Sequence, residues 1–246
     1  MVLQPSFKNF IVLTESDHVH QVCEILHKED PTKNILRVDS LSELMVLSVH
    51  FLQSARLIAF LTKVIVPQDI LEKIGYGAYN FHPGPYQYPG WAPFSFALYQ
   101  GETSHGTTVH EMIAEVDAGP IIAMEEYPIR ADLVQSDLEA ICLESCFKML
   151  ARLTKIFCQA SMPIPLNTQW GKVKTKQLDF KKICTITPSI SKKEFHRRLK
   201  AFGAGDGKYR LFLKDGERRY ELDIQKDQEA IDQYRLIHGV KFALVK

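Results

Sequence analysis

Several things are scarce in this chain, and each scarcity closes off a class of function. Its 246 residues carry a formal net charge of only +1, so no global field draws it to nucleic acid or an anionic membrane, and an RNA partner would need a local basic patch. The five cysteines, Cys23, Cys142, Cys146, Cys158 and Cys184, form no CxxC pair and are odd in number, which argues against a disulfide framework. Cys142 and Cys146, one helical turn apart, read as a buried helix face, and no metal is expected. No apolar run is long enough to span a bilayer, and the start, MVLQPSFKNFIVLTESDHV, lacks the basic region and small-residue cleavage site of a signal peptide. A reducing cytoplasm is the expected compartment. No repeat or low-complexity tract is present.

What remains is an ordinary globular composition, 46% apolar and 24% charged, enough for one moderate domain or one domain with a small appendage. Asn9 to Thr14 is a short apolar run that reads as a buried strand, and Asn34 to Val38 as a second. Between them a helix is expected over Asp17 to Lys28, capped by Ser16. A further helix is expected from Ser40 to Phe51, with Leu41, Leu44, Met45 and Val49 inward. Leu57 to Val66 reads as a third strand continuing into an apolar loop, followed by a helix from Gln68 to Ile74. Strands alternating with helices predict an α/β fold, a doubly wound, mostly parallel sheet, which binds ligands at the carboxyl ends of its strands.

The stretch from Tyr79 to Ile122 departs from that rhythm. A brief strand from Ala78 to Phe81 delivers Asn80 and His82 to the strand-end rim. Pro/Gly-rich turns follow, then a helix from Pro93 to Gln100 closed by Gly101. Strands at Thr107 to Met112 and Ile121 to Ile129 flank a VDAG turn that returns Asp117 to the same rim. An amide, an imidazole and a carboxylate on rigid turns can polarise a carbonyl, hold an oxyanion and move a proton. That is acyl transfer without a side-chain nucleophile. Taken singly each residue has a plainer reading: an Asx turn for Asn80, a satisfied turn histidine for His82, a turn-opening acid for Asp117.

After a long core helix over Asp137 to Cys158, Pro163 and Pro165 break the chain. The composition beyond becomes basic. Ser191 to Phe202 reads as an amphipathic helix with Phe195, Leu199 and Phe202 on one side. Tyr209 to Leu213 and Arg219 to Ile224 read as a hairpin about Asp215-Gly216. The expected division is a catalytic domain over 1–165 and a small α+β subdomain over 166–246, too short for a five-stranded barrel in addition to its helix.

Asn80-Phe-His82-Pro83, Tyr88-Pro89-Gly90, Gly106-Thr-Thr-Val-His110 and Val116-Asp117-Ala-Gly119-Pro120-Ile-Ile122, in this order and spacing, resemble the 10-formyltetrahydrofolate-dependent formyltransferases. That family includes enzymes acting on methionyl-tRNA, glycinamide ribonucleotide and amino sugars. The resemblance implies that Asn80 and His82 contact the formyl oxygen and that Asp117 holds the histidine and assists proton transfer. It implies a folate pocket at Phe60, Leu61, Thr62, Val64 and Ile65 with Val116 and Asp117 opposite, and 10-formyltetrahydrofolate as co-substrate. Tyr86, Trp91 and His110 are weaker candidates for contacting the acceptor. A carboxylate beside His82 is expected to raise its pKa and favour imidazolium. The turn Thr14-Glu15-Ser16-Asp17 lacks the phosphate-binding glycines of the glycinamide ribonucleotide enzymes. The amine of a nucleotide-linked amino sugar is therefore the expected acceptor, ahead of methionyl-tRNA or another small amine. A hydrolase using the same three residues, and a homodimeric assembly, stay open.

Overall fold

The computed structural model describes residues 5–203, 211–222 and 234–244. In chain order the elements are β1 (Asn9–Thr14), α1 (Ser16–Glu29), β2 (Asn34–Val38), α2 (Leu41–Met45), α3 (Val49–Gln53), β3 (Ala55–Phe60), α4 (Gln68–Leu71), β4 (Ala78–His82), α5 (Pro93–Gln100), β5 (Ser104–Glu111) and β6 (Ile121–Pro128). They continue with α6 (Gln135–Phe157), α7 (Gln177–Cys184), β7 (Thr185–Ile186), α8 (Lys192–Phe202), β8 (Phe212–Asp215), β9 (Arg218–Leu222), β10 (Tyr234–Ile237) and β11 (Val240–Leu244). The chain divides into two compact units, one of Met1–Pro89, Gly106–Tyr127 and Ile141–Val173, the other of Gly90–His105, Pro128–Ala140 and Lys174–Lys246.

The first unit is built on a mostly parallel six-stranded sheet in the order β2-β1-β3-β4-β5-β6. β1, β2, β3 and β4 pair in parallel, and β5 turns antiparallel to β4. Because side chains alternate along a strand, the sheet feeds two apolar layers. Phe10, Val12, Ile58, Phe60, Tyr79 and Phe81 pack with Val22 and Leu26 of α1 and Met149, Leu150 and Phe157 of α6. Ile11, Leu13, Leu57, Ala59 and Ala78 face the other way, onto Leu44, Leu52 and Ile70. Helices on both faces are what a parallel sheet requires, and the architecture is the doubly wound one expected from the alternation. Burying each large aliphatic or aromatic side chain contributes about 1.5–3 kcal/mol.

Arg56 sits in β3 with no exposed surface, on the α6 side of the sheet. Its guanidinium donates to the carbonyls of Tyr76, Phe157, Gln159 and Ser161, and so closes the carboxyl end of α6 with a cation where the helix dipole favours one. The rings of Phe7, Tyr79 and Phe157 surround it, with centroids 5.1, 5.6 and 5.9 Å away. Burial holds its pKa below the ordinary value.

Some local expectations need correction. The single helix expected over Ser40–Phe51 is two, because Ser48 accepts from the Phe51 N–H at 3.2 Å and starts a new one. Leu44 and Leu52 are buried, whereas Met45 and Val49 are 64% and 51% exposed. The cap of α1 is Glu15, without a side-chain bond, and Ser16 is already helical.

The second unit carries a five-stranded sheet, β10-β11-β9-β8-β7. The β8–β9 hairpin stands where it was read, while Tyr209, Arg210, Asp223 and Ile224 lie outside the described residues. The β10–β11 hairpin and the short β7 add strand that the expectation of a single hairpin did not contain. Ser191 caps α8, and Phe195 and Phe202 are buried as the amphipathic pattern required.

Candidate active site

β4 places the site. Tyr79 and Phe81 enter the α6-side core, so the alternate positions Asn80 and His82 are presented on the opposite side, at the strand's carboxyl end. In the antiparallel register Asn80 lies directly across from His110, and the Asn80 Nδ2 is 3.1 Å from the His110 Nε2. The chain leaves β5, turns through Asp117 with a left-handed φ of 47°, and enters β6. This turn needs Gly119, where a Cβ would stand 1.9 Å from the Glu111 carbonyl oxygen. The Asp117 backbone conformation is one that a non-glycine residue adopts at a cost of order 1–3 kcal/mol.

The result is a carboxylate between two imidazoles. Asp117 Oδ2 lies 3.4 Å from His82 Nδ1, and Asp117 Oδ1 lies 3.3 Å from His110 Nε2. His82, His110 and Asp117 are all buried. The remaining ring nitrogens are committed to the backbone. His82 Nε2–H donates to the Tyr88 carbonyl at 3.0 Å and His110 Nδ1–H to that of Glu111 at 2.8 Å. A carbonyl can only accept, so those nitrogens carry the protons. Each imidazole therefore turns its other nitrogen towards one carboxylate oxygen. A proton taken up by either ring is met at once by negative charge.

Burial is the largest influence on His82 and holds its pKa below the ordinary value of 6.5, against the opposing attraction of Asp117; His110 adds to the lowering. The expectation of a raised pKa and a resident imidazolium is corrected accordingly. In a site this deeply buried, desolvation of the charged ring outweighs the one carboxylate.

Other candidates fall in different surroundings. The Phe60 side chain is wholly buried against Phe81 and Phe147, with centroids 5.4 and 4.8 Å apart. Leu61 reverses the chain with φ 52°, Thr62 Oγ1 accepts from the Val64 N–H at 3.1 Å, and Leu61, Thr62 and Val64 are half-buried. Ile65 and Val116 expose 65% and 43% of their surface. Tyr86 is half-buried in the loop after His82, whereas Trp91 belongs to the other unit and exchanges hydrogen bonds with Thr175.

One residue at the site went unread. Trp170 stands perpendicular to both imidazoles, with centroids 5.6 Å from His82 and 5.0 Å from His110, and its indole N–H donates to the Gly119 carbonyl at 2.7 Å. Its only local signal was a tryptophan before a glycine in a Pro-broken, polar stretch; the contacts span 88 and 60 positions of chain. No group of three or more His, Cys, Asp or Glu able to hold a metal ion occurs among the described residues. No helix among them is long and apolar enough to cross a membrane.

Known proteins resemble this chain in sequence and in fold. Residues 12–154 match the family model described as formyl transferase. The chain is 27% identical over 214 residues to a methionyl-tRNA formyltransferase of Dechloromonas aromatica, covering 86% of this chain and 63% of that protein. It spans still less, 28% and 46%, of matched relatives from Deinococcus radiodurans and Lactobacillus delbrueckii. Among solved structures it is similar in fold to a sugar N-formyltransferase from Shewanella, with a TM-score of 0.74, 16% identity and coverage of 90% and 98% of the two chains. It is also similar to HypX from Aquifex aeolicus in complex with tetrahydrofolic acid, with a TM-score of 0.65, 18% identity and coverage of 97% and 44%.

Proposed function

Since the chain belongs to the formyl transferase family, we propose that it moves a formyl group from 10-formyltetrahydrofolate to a primary amine at the Asn80, His82 and Asp117 site. The observation that carries this is the Asp117 carboxylate held 3.4 and 3.3 Å from two buried imidazoles, with the Asn80 amide alongside. The co-substrate, when bound, supplies an activated formyl carbon. Leu61, Thr62, Val64 and Val116 would hold it, with Phe60 contributing backbone only. The Asn80 amide donates to negative charge as it develops on the formyl oxygen. His82, oriented by the Tyr88 carbonyl, accepts at Nδ1 the proton that the attacking amine loses, Asp117 stabilises the imidazolium so formed, and as the bond between the formyl carbon and N10 breaks that proton passes to N10 of the departing tetrahydrofolate. Stabilising groups fixed beforehand in a dry site are worth far more than the same groups in water.

The acceptor in this reading is the amine of a nucleotide-linked sugar. One observation favours it over RNA, and another over glycinamide ribonucleotide. Three basic residues of α8 are engaged within their own unit, Arg198 with Glu194 and the Ile183 carbonyl, Arg197 with the Tyr99 carbonyl, Lys200 with the Ala131 carbonyl. The start of α1 carries Glu15, paired with Lys63 at 3.3 Å, where a free phosphate would meet an acid. Methionyl-tRNA is the second reading, favoured by the methionyl-tRNA formyltransferases among its relatives.

The test is tetrahydrofolate formation from 10-formyltetrahydrofolate without an acceptor, then with nucleotide-linked amino sugars, glycinamide ribonucleotide and methionyl-tRNA in turn. Formation only with an amino sugar supports the proposal. Formation without any amine makes the protein a hydrolase.

A further inference from the structure

The loop after His82 and the turn at Asp117 are separate stretches of backbone, and each holds part of the site. A third segment, far downstream, fastens them to each other. Gly171 N–H donates to the Tyr86 carbonyl at 2.8 Å, two residues before the carbonyl that orients His82. Trp170 Nε1–H donates to the Gly119 carbonyl at 2.7 Å, two residues after Asp117. The approach is as close as backbone allows: a Cβ on Gly171 would lie 2.4 Å from the Gln87 carbonyl oxygen, and any residue but glycine would push the segment away. The segment is itself anchored at two points upstream. Leu166 N–H donates to the Ile121 carbonyl at 2.7 Å, and Arg56 holds the Ser161 carbonyl at 3.0 Å.

We propose that Trp170 is a positioning residue of the transfer site, which fixes the Asp117 turn against the two imidazoles and keeps water from them. This rests on the formyl-transfer reading of that site. The indole stands at 76° to His82 and 89° to His110, so one rigid ring limits the rotation of both. Its one hydrogen-bond donor is directed to the turn that carries Asp117, not to its own strand of chain. A ring present only to fill space would not need that N–H.

A consequence follows for His82. Its surroundings comprise the Asp117 carboxylate, the His110 imidazole, the Tyr88 carbonyl and the Trp170 ring. With the indole removed, water reaches the ring and the penalty on its charged form shrinks. The titration of His82 then moves upward, towards the ordinary range.

The test combines spectroscopy and kinetics. Protein labelled with 5-fluorotryptophan gives fluorine signals from Trp91 and Trp170, which Trp170→Phe distinguishes. The Trp170 signal is expected to shift with pH in step with His82, and to lose that step in His82→Gln. Histidine nitrogen spectra are expected to show the His82 midpoint raised in Trp170→Ala and less so in Trp170→Phe. With a nucleotide-linked amino sugar as acceptor, kcat is expected to fall about tenfold in Trp170→Phe and about a hundredfold in Trp170→Ala, with KM changing less than about threefold. A Trp170 signal indifferent to pH, an unmoved His82 midpoint, or an unchanged kcat in the two variants would overturn the proposal. The spectra need no turnover. Spectra as expected, with no tetrahydrofolate formed by the wild-type protein under any condition, would overturn the formyl-transfer reading and leave the hold of the indole on the histidines standing.

Discussion

Replacing Arg56 with Met removes a cation but keeps a flexible apolar side chain of similar reach, and the outcome discriminates between two views of buried charge. Apolar replacements of buried ion pairs are often tolerated, because both charges leave together. Among the described residues, Arg56 has no carboxylate partner to take with it. Its partners are the main-chain carbonyls of Tyr76, Phe157, Gln159 and Ser161, which stay behind without that donor, while Ile156, more distant at 3.4 Å, still accepts from the Gln159 N–H at 3.1 Å. Each unsatisfied buried acceptor costs about 1–3 kcal/mol. Those at the end of α6 recover part of this by fraying towards water, so the net loss is placed at about 3–5 kcal/mol, the range for removing one member of a buried charged arrangement. For a chain of this size that corresponds to a melting temperature lower by roughly 10 °C. Thermal unfolding followed by far-ultraviolet circular dichroism reads it directly. A midpoint within about 2 °C of wild type would refute the reasoning. Arg56→Lys, with one donor group in place of the guanidinium fork, is expected to fall between.

Gly119→Ala is expected to abolish turnover while leaving most secondary structure in place, because the new methyl meets the Glu111 carbonyl oxygen at 1.9 Å and moves the Asp117 turn. Activity at more than about a tenth of wild type in a folded variant would contradict it. Stability should fall as pH drops below 6.5, since burial keeps the His82 pKa depressed in the folded state and only the unfolded chain takes up that proton readily. His82→Gln should flatten this dependence in urea titrations, and an equally steep variant would count against burial as the cause. Asp117→Asn removes the influence that raises the His82 pKa, so its midpoint, followed by nuclear magnetic resonance, should move lower still; an upward move would contradict the assignment.

Much of this molecule could be read from local pattern. Runs such as NFIVLT and the turn chemistry of Gly101 and Asp215-Gly216 impose their structure within a few residues, and the elements stand where those signals put them. The break between α2 and α3 was harder. An apolar spacing compatible with one helix lost to the side chain of Ser48, a contest that periodicity alone does not decide. The meeting of Asn80, His82 and Asp117 was foreseeable from order and spacing in a familiar motif. The part played by His110 was visible only as a position in a strand; its distance to Asp117 depends on the pairing register of β4 and β5. Trp170 had no local signal beyond a tryptophan before a glycine, because its significance lies in contacts across the chain. The pKa of His82 was misjudged for a related reason: the charge of Asp117 is visible in sequence, whereas the depth of burial that outweighs it belongs to the packed fold.

The central claim is that the buried cluster transfers a formyl group to an amine. Its most direct test is tetrahydrofolate formation by wild type, Asn80→Ala, His82→Ala and Asp117→Ala, with and without a nucleotide-linked amino sugar, each variant first shown to be folded. The account predicts amine-dependent formation by wild type and losses of about a hundredfold or more in each variant. Near-normal turnover in any two of the variants would contradict it.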